Sequence, residues 1–293
     1  MKQRSEVEAD NIPDVVSFFG VGLSRGIAPI KNGIANHNYV VSTDQGNFVV
    51  KFLVTQPSEN IENDVAIQQQ LSQAGVGSPH YLRNRDGDYL YRGHDNLNAV
   101  ISEKLDGVSP RQISADLVSG IGRHLALFHT SVVACPNPNQ AGSLMNPGMS
   151  GDNTGWARTL LDQPLPRGII HGDLHSGNVL VDPRHRDRVI ALLDFEEAGE
   201  NLYLIDLAVT LMSVSSSTSR EAIEPELMRA AKQGYETVRR LTDQEVVWLP
   251  WAIRYTSEAW ITWFVANGFD EYARKHQRRY DGFREVFGEH LAV

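Results

Sequence analysis

Apolar positions change their spacing several times along the chain, and the changes divide it. After an apolar stretch from Ile12 to Phe19, three segments have strand character: Gly26 to Ile30, His37 to Thr43 and Asn47 to Leu53. The last two flank Asp44, Gln45 and Gly46, residue types that tight turns need, so a hairpin is predicted. From Asn60 to Gln73 the spacing turns helical, with Ile61, Val65, Ile67 and Leu71 apolar and Gly75 as the stop. Tyr81 to Leu82, Tyr89 to Tyr91 and Ala99 to Leu105 predict further short strands, which places strands and one helix in a small lobe.

Asp106, Gly107 and Pro110 interrupt the pattern before a long helix expected from Arg111 to Val133. Cys135 to Gly155 carries three prolines, four glycines and four asparagines, the composition of a long loop. From Leu202 onward most of the chain has helical spacing, clearest in Leu202 to Met212 and in Trp251 to Val265, the latter expected to open at Pro250. Trp260, Trp263 and Phe264 fall on one face of that helix and are expected in the core. The pattern therefore predicts an α+β chain with an antiparallel-sheet lobe at 1–103, a hinge at 104–109 and a mainly helical lobe at 110–293.

Composition narrows the classes of function. With 293 residues, 41% hydrophobic and 22% charged, the chain has globular proportions and material for about two domains. A net charge of -9 repels phosphate backbones, so no nucleic-acid partner is expected. No apolar run approaches the ~18 residues of a membrane span, and MKQRSEVEAD lacks the apolar stretch of a signal peptide, so no membrane association is expected. The single cysteine, Cys135, fits a reducing compartment, and a cytoplasmic location is expected.

The chemistry concentrates between Ile169 and Leu207. An apolar strand leads into His171-Gly172-Asp173, Asn178 follows, and a second apolar strand ends at Asp194-Phe195, which predicts two carboxylates and a carboxamide at the ends of adjacent strands. Asp173 and Asp194 brought within ~4 Å would repel by about 4 kcal/mol at an effective dielectric near 20, and a cation removes that cost. Oxygen donors of this kind suit Mg²⁺ shared with phosphate oxygens, which points to phosphoryl transfer from a nucleotide. His171 and His175 are four apart, but Gly172 opposes a helix between them and no HExxH zinc motif is present. Neither GxxxxGK[ST] nor GxSxG occurs, so a Walker-type ATPase and an α/β-hydrolase lack their defining elements.

HGDLHSGN followed by LLDF resembles the catalytic and metal-binding loops of the aminoglycoside phosphotransferase and choline kinase superfamily. The resemblance implies a protein-kinase-like two-lobe fold, Asp173 as catalytic base, Asn178 and Asp194 as Mg²⁺ ligands, and ATP as phosphate donor. It also implies that His171 braces the loop and that Asp206, in LIDLA, anchors its backbone. In the small lobe, Val49-Val50-Lys51-Phe52 puts a lysine on the third strand, where a kinase needs a cation for the α and β phosphates. Asp64, or else Glu62, should pair with Lys51. The small polar turn with Gly33, Asn36 and Asn38 can bring backbone N–H groups to the phosphates, and Glu103 and Leu105 would flank the adenine edge.

PIKNGIANHNYVV and Ala252-Ile253-Arg254-Tyr255 look most like bacterial homoserine kinases. A small hydroxyl-bearing metabolite, homoserine or a related amino alcohol, is the expected acceptor, with Arg254, Glu258 and Glu196 as candidate contacts. Aminoglycoside-type or choline-type acceptors are the alternative within the superfamily. A nucleotide-binding pseudokinase is the alternative of another class.

Overall fold

In the computed structural model, residues 4–30, 36–54, 56–94, 97–137, 155–216 and 222–288 are described. The Ile12–Phe19 stretch is the inner face of a longer helix, α1 (Arg4–Phe19). Ile12, Val15, Val16 and Phe19 recur at helical spacing, and all four are buried in one core with Val41, Val50, Phe52 and Ile101. That core covers one face of a five-stranded antiparallel sheet of β1 (Ser24–Ile30), β2 (His37–Thr43), β3 (Asn47–Leu53), β4 (Tyr91–Arg92) and β5 (Asn98–Glu103), in the order β1-β2-β3-β5-β4. The expected hairpin is β2–β3, closed by the Thr43 amide donating to the Gly46 carbonyl.

Two of the expected small strands are reduced. Tyr81 makes only an isolated bridge to Ser102, and the Tyr89 to Tyr91 segment pairs only at Tyr91–Arg92. Helix α2 (Ile61–Gln73) follows β3, and Gly75, at φ +71°, takes the left-handed conformation that ends it.

Contacts divide the chain into two compact units, Met1–Gln69 with Ser78–Asp106, and Gln70–Gly77 with Gly107–Val293. The second unit holds α3 (Ala115–Ser131), α4 (Gly155–Leu161), β6 (Arg167–Ile170), β7 (Val179–Val181), β8 (Val189–Leu192), β9 (Gly199–Leu202), α5 (Tyr203–Val214), α6 (Pro225–Glu236), α7 (Asp243–Ala266) and α8 (Asp270–Phe287). Helices α3 and α6 cross at backbone contact. A Cβ added at Gly122 would lie 1.9 Å from the Ala231 carbonyl oxygen, and one at Gly234 would lie 2.0 Å from that of Ser119. Only glycine permits this approach.

Pro250 does not open α7. The helix begins seven residues earlier, at a capping box in which the Thr242 side chain accepts from the Glu245 amide and Glu245 accepts from the Thr242 amide. The two bonds satisfy end groups that a proline start would leave bare, so Pro250 is absorbed inside the helix. The aromatic stripe at its far end is only partly core: Phe264 is buried, whereas Trp260 and Trp263 are half-buried beside Phe269 and His276. Among the described residues, no helix is long and apolar enough to cross a membrane.

Candidate active site

Asp173, Asn178 and Asp194 lie on the loops that follow β6 and β8, but these strands are not neighbours. β6 pairs with β9, and β7 pairs with β8, so the adjacent-strand expectation fails. Hydrogen bonds between loops replace it. The Leu193 amide donates to the Asn178 carbonyl at 2.9 Å, and His171 Nε2 donates to the Leu193 carbonyl at 3.0 Å. Asn178 Nδ2 donates to the Asp173 carbonyl at 2.9 Å and to its carboxylate at 3.2 Å. The carboxamide oxygen then remains as a candidate ligand for a cation.

The loop's backbone is held from beneath by Asp206 on α5. Its carboxylate accepts the His171 amide at 2.7 Å and the Gly172 amide at 3.0 Å. Burial alone would raise Asp206, but the hydrogen bonds from His129 and from the His171 amide outweigh burial and hold it below the usual carboxylate range. Gly172, at φ +82°, has its Cα against the Glu197 carbonyl, where a Cβ would come within 2.5 Å. His171 is fully buried and lowered by desolvation, which suits a neutral ring donating through Nε2.

The acids of this region perturb one another. Asp173 is pushed well above the carboxylate range, first by burial and then by the charges of Asp194, Glu197 and Glu196. Glu197 is pushed up to about 7 by burial and by Asp194. A divalent cation would relieve that repulsion, and the donors present are the hard oxygens that Mg²⁺ takes. Among the described residues, no three His, Cys, Asp or Glu side chains form a ready-made cage. Asp194 is the one non-glycine residue with positive φ among those described, at +62°.

In the first unit, Lys51 is buried on β3, opposite Asn38 on β2 and Val100 on β5. Asp64 is buried in the first turn of α2, where its Oδ2 accepts from Gln56 at 3.0 Å and the Tyr81 hydroxyl at 3.1 Å; Glu62 is exposed. Asn36 turns inward, and its carboxamide oxygen accepts the Val54 amide at 2.9 Å. Gly33 lies outside the described residues. Glu103 is exposed at the end of β5 and Leu105 half-buried beyond it.

Arg254 and Glu258 are bonded at 2.8 Å on α7 and line a cleft of about 200 Å³ with Trp251, Tyr280 and Arg284. The Arg254 guanidinium also lies 4.4 Å from the Trp156 ring centre.

Sequence reasoning missed several polar residues. Beneath the loop, His129 on α3, Tyr235 on α6, and Arg239 and Glu245 continue a buried chain from Asp206. His129 was detectable as a polar residue on the inner face of α3, in line with Leu125 and Phe128. In the first unit, fully buried Glu8 accepts from His37 Nδ1 at 2.7 Å and the Tyr39 hydroxyl at 3.2 Å.

Comparison with known proteins follows the same lines. The chain is 26% identical over 272 residues to a homoserine kinase of Gluconobacter oxydans, covering 84% of each chain. It is 27% identical over 288 residues to a homoserine kinase of Pseudomonas aeruginosa, covering 90% of this chain and 87% of that one. Among solved structures, a microcompartment-associated aminopropanol kinase superposes with a TM-score of 0.73 at 19% identity, covering 97% and 99% of the two chains. Amicoumacin kinase hAmiN in complex with AMP-PNP, Ca²⁺ and Ami superposes with a TM-score of 0.72 at 14% identity, covering 94% and 96%. The fold is thus protein-kinase-like. The model of the phosphotransferase enzyme family matches residues 26–148 and 152–241, most of the chain, and the chain belongs to that family.

Proposed function

We propose that this protein is an ATP- and Mg²⁺-dependent small-molecule kinase that transfers the γ-phosphate to a hydroxyl of a small metabolite, homoserine or a related amino alcohol. The observation that carries the reading is the cross-linked loop pair bearing Asp173, Asn178 and Asp194 over the Asp206 anchor. Asn178 and Asp194 would hold the cation, which when bound neutralises charge on the phosphates. Lys51 would hold the α and β phosphates, with Asp64 fixing its ammonium. The backbone at Asn36 and Asn38 would approach the phosphates, and Glu103 and Leu105 would meet the adenine edge.

Asp173 orients the acceptor hydroxyl and takes its proton as the oxygen bonds to the γ-phosphorus and the bond to the β-γ bridging oxygen breaks. Most of the acceleration comes from positioning. Arg254 beside Glu258 offers one charge of each sign, which fits an acceptor with both a carboxylate and an ammonium. Glu196 would contribute a further contact to an amino group. The homoserine kinases among the relatives support that class, and the aminopropanol kinase supports an amino alcohol.

The test is an ADP-release assay over homoserine, aminopropanol, choline and aminoglycosides, with wild type and Asp173→Ala. Turnover with one small amino alcohol, lost in Asp173→Ala while nucleotide still binds, is the expected result. Substantial turnover in Asp173→Ala refutes the assignment of the base. Nucleotide binding with no acceptor turned over favours the non-catalytic alternative.

A further inference from the structure

Asp206 is not the end of the support beneath the loop. Its Oδ2 accepts from His129 Nε2 at 2.9 Å, and His129 Nδ1 meets the Tyr235 hydroxyl at 2.8 Å. That hydroxyl accepts from Arg239 at 3.1 Å, and Arg239 donates its other terminal nitrogen to Glu245 at 2.8 Å. Asp206, His129, Tyr235 and Glu245 are all buried. A carboxylate can only accept, so His129 Nε2 carries a proton facing Asp206, and in a neutral ring the bare Nδ1 then accepts the Tyr235 hydroxyl proton while that oxygen accepts from Arg239. Burial disfavours a charged His129, in keeping with this single neutral tautomer. The ring is clamped as well, stacked on Tyr203 with centres 4.4 Å apart.

We infer that His129 is a positioning residue for phosphoryl transfer: through the relay Arg239–Tyr235–His129–Asp206 it fixes the carboxylate that holds the His171 and Gly172 amides, and so the place of Asp173. The inference rests on the reading of Asp173 as the base. A merely structural histidine would be replaceable by any side chain that fills its space. A relay demands one donor and one acceptor in the same places. Glutamine meets that demand, since its amide nitrogen can donate to Asp206 and its oxygen can accept from Tyr235.

The experiment compares His129→Gln, His129→Leu and Tyr235→Phe in the full chain. It measures kcat, nucleotide KM, melting temperature and hydrogen exchange at the His171 and Gly172 amides. A misplacement of about 1 Å at a reacting group costs roughly 100-fold. His129→Leu is therefore expected to lose about that factor in kcat, with little change in nucleotide KM and faster exchange at both amides. His129→Gln should recover most of the kcat and the protection. Tyr235→Phe, which releases only the far side of the ring, should fall between them, and it carries the test if the leucine variant does not fold. The inference is overturned if glutamine is no better than leucine, or if kcat and exchange stay at wild-type values in leucine and phenylalanine variants that fold. Should wild type turn over no acceptor at all, the kinase reading fails, and exchange at the two amides still decides whether the relay holds the loop.

Discussion

The crossing of α3 and α6 allows a quantitative test with Gly234→Ala. In an open helix this change gains about 1 kcal/mol of propensity. Here the new Cβ would lie 2.0 Å from the Ser119 carbonyl oxygen, whereas unstrained contacts need about 3.5 Å. The two backbones must therefore separate by about 1.5 Å. Overpacking of this kind costs about 1–3 kcal/mol. Tyr235 is the next residue, and its bond to His129, 2.8 Å long, does not survive such a shift. Losing a buried hydrogen bond costs about 1–3 kcal/mol. Set against the gain in propensity, these two costs leave a net destabilisation of about 1–5 kcal/mol, centred near 3, or a fall in Tm of about 6–12 °C at that centre for a unit of this size. Gly282→Ala is the control, since it lies within α8 and its nearest neighbour is 4.0 Å away. That variant should raise Tm by a few degrees. Thermal unfolding of both, followed by circular dichroism, reads the difference. Equal shifts in the two variants would refute the backbone-contact argument.

Two further outcomes follow from buried acids. Glu197, raised from 4.5 to about 7, keeps a proton in the folded chain that the unfolded chain loses near pH 4.5. Its contribution to stability is full below that pH and is lost as the pH rises to about 7, by at most about 3 kcal/mol. Glu197→Gln should flatten the dependence of Tm on pH in that window, and an unchanged slope in metal-free buffer would count against the burial argument. Glu8→Ala removes the partner of His37 and Tyr39 and should cost about 1–2 kcal/mol, read as a lower urea midpoint with unchanged slope; an unmoved midpoint would show that the pair adds nothing.

The sheet of the first unit was legible because β2 and β3 are short runs of strand-forming residues around an explicit turn, although β3 is buried on both faces. Lys51 could be placed for the same reason. The loop that carries the candidate residues was legible as a local motif, since Asp173 and Asn178 are five residues apart and bond to each other on that loop. What the sequence did not disclose was pairing. β6 prefers β9 to β8, and nothing in four-residue apolar strands encodes which partner they choose. The relay from Asp206 to Glu245 spans four helices, so no local window contains it. The start of α7 was legible in Thr242 and Glu245, but the stronger punctuation of Pro250 concealed it.

Asp194 holds the left-handed backbone conformation that a side chain ordinarily pays about 1–2 kcal/mol to adopt. Glycine, asparagine and aspartate tolerate it, and only the last brings a negative charge. Alanine scanning there would confound a twisted main chain with a lost carboxylate, whereas asparagine isolates the charge. In descent, the same arithmetic leaves a gene copy released from selection two comfortable exits at this codon, Asn and Gly, and either would remove the negative charge proposed for cation binding while sparing the architecture.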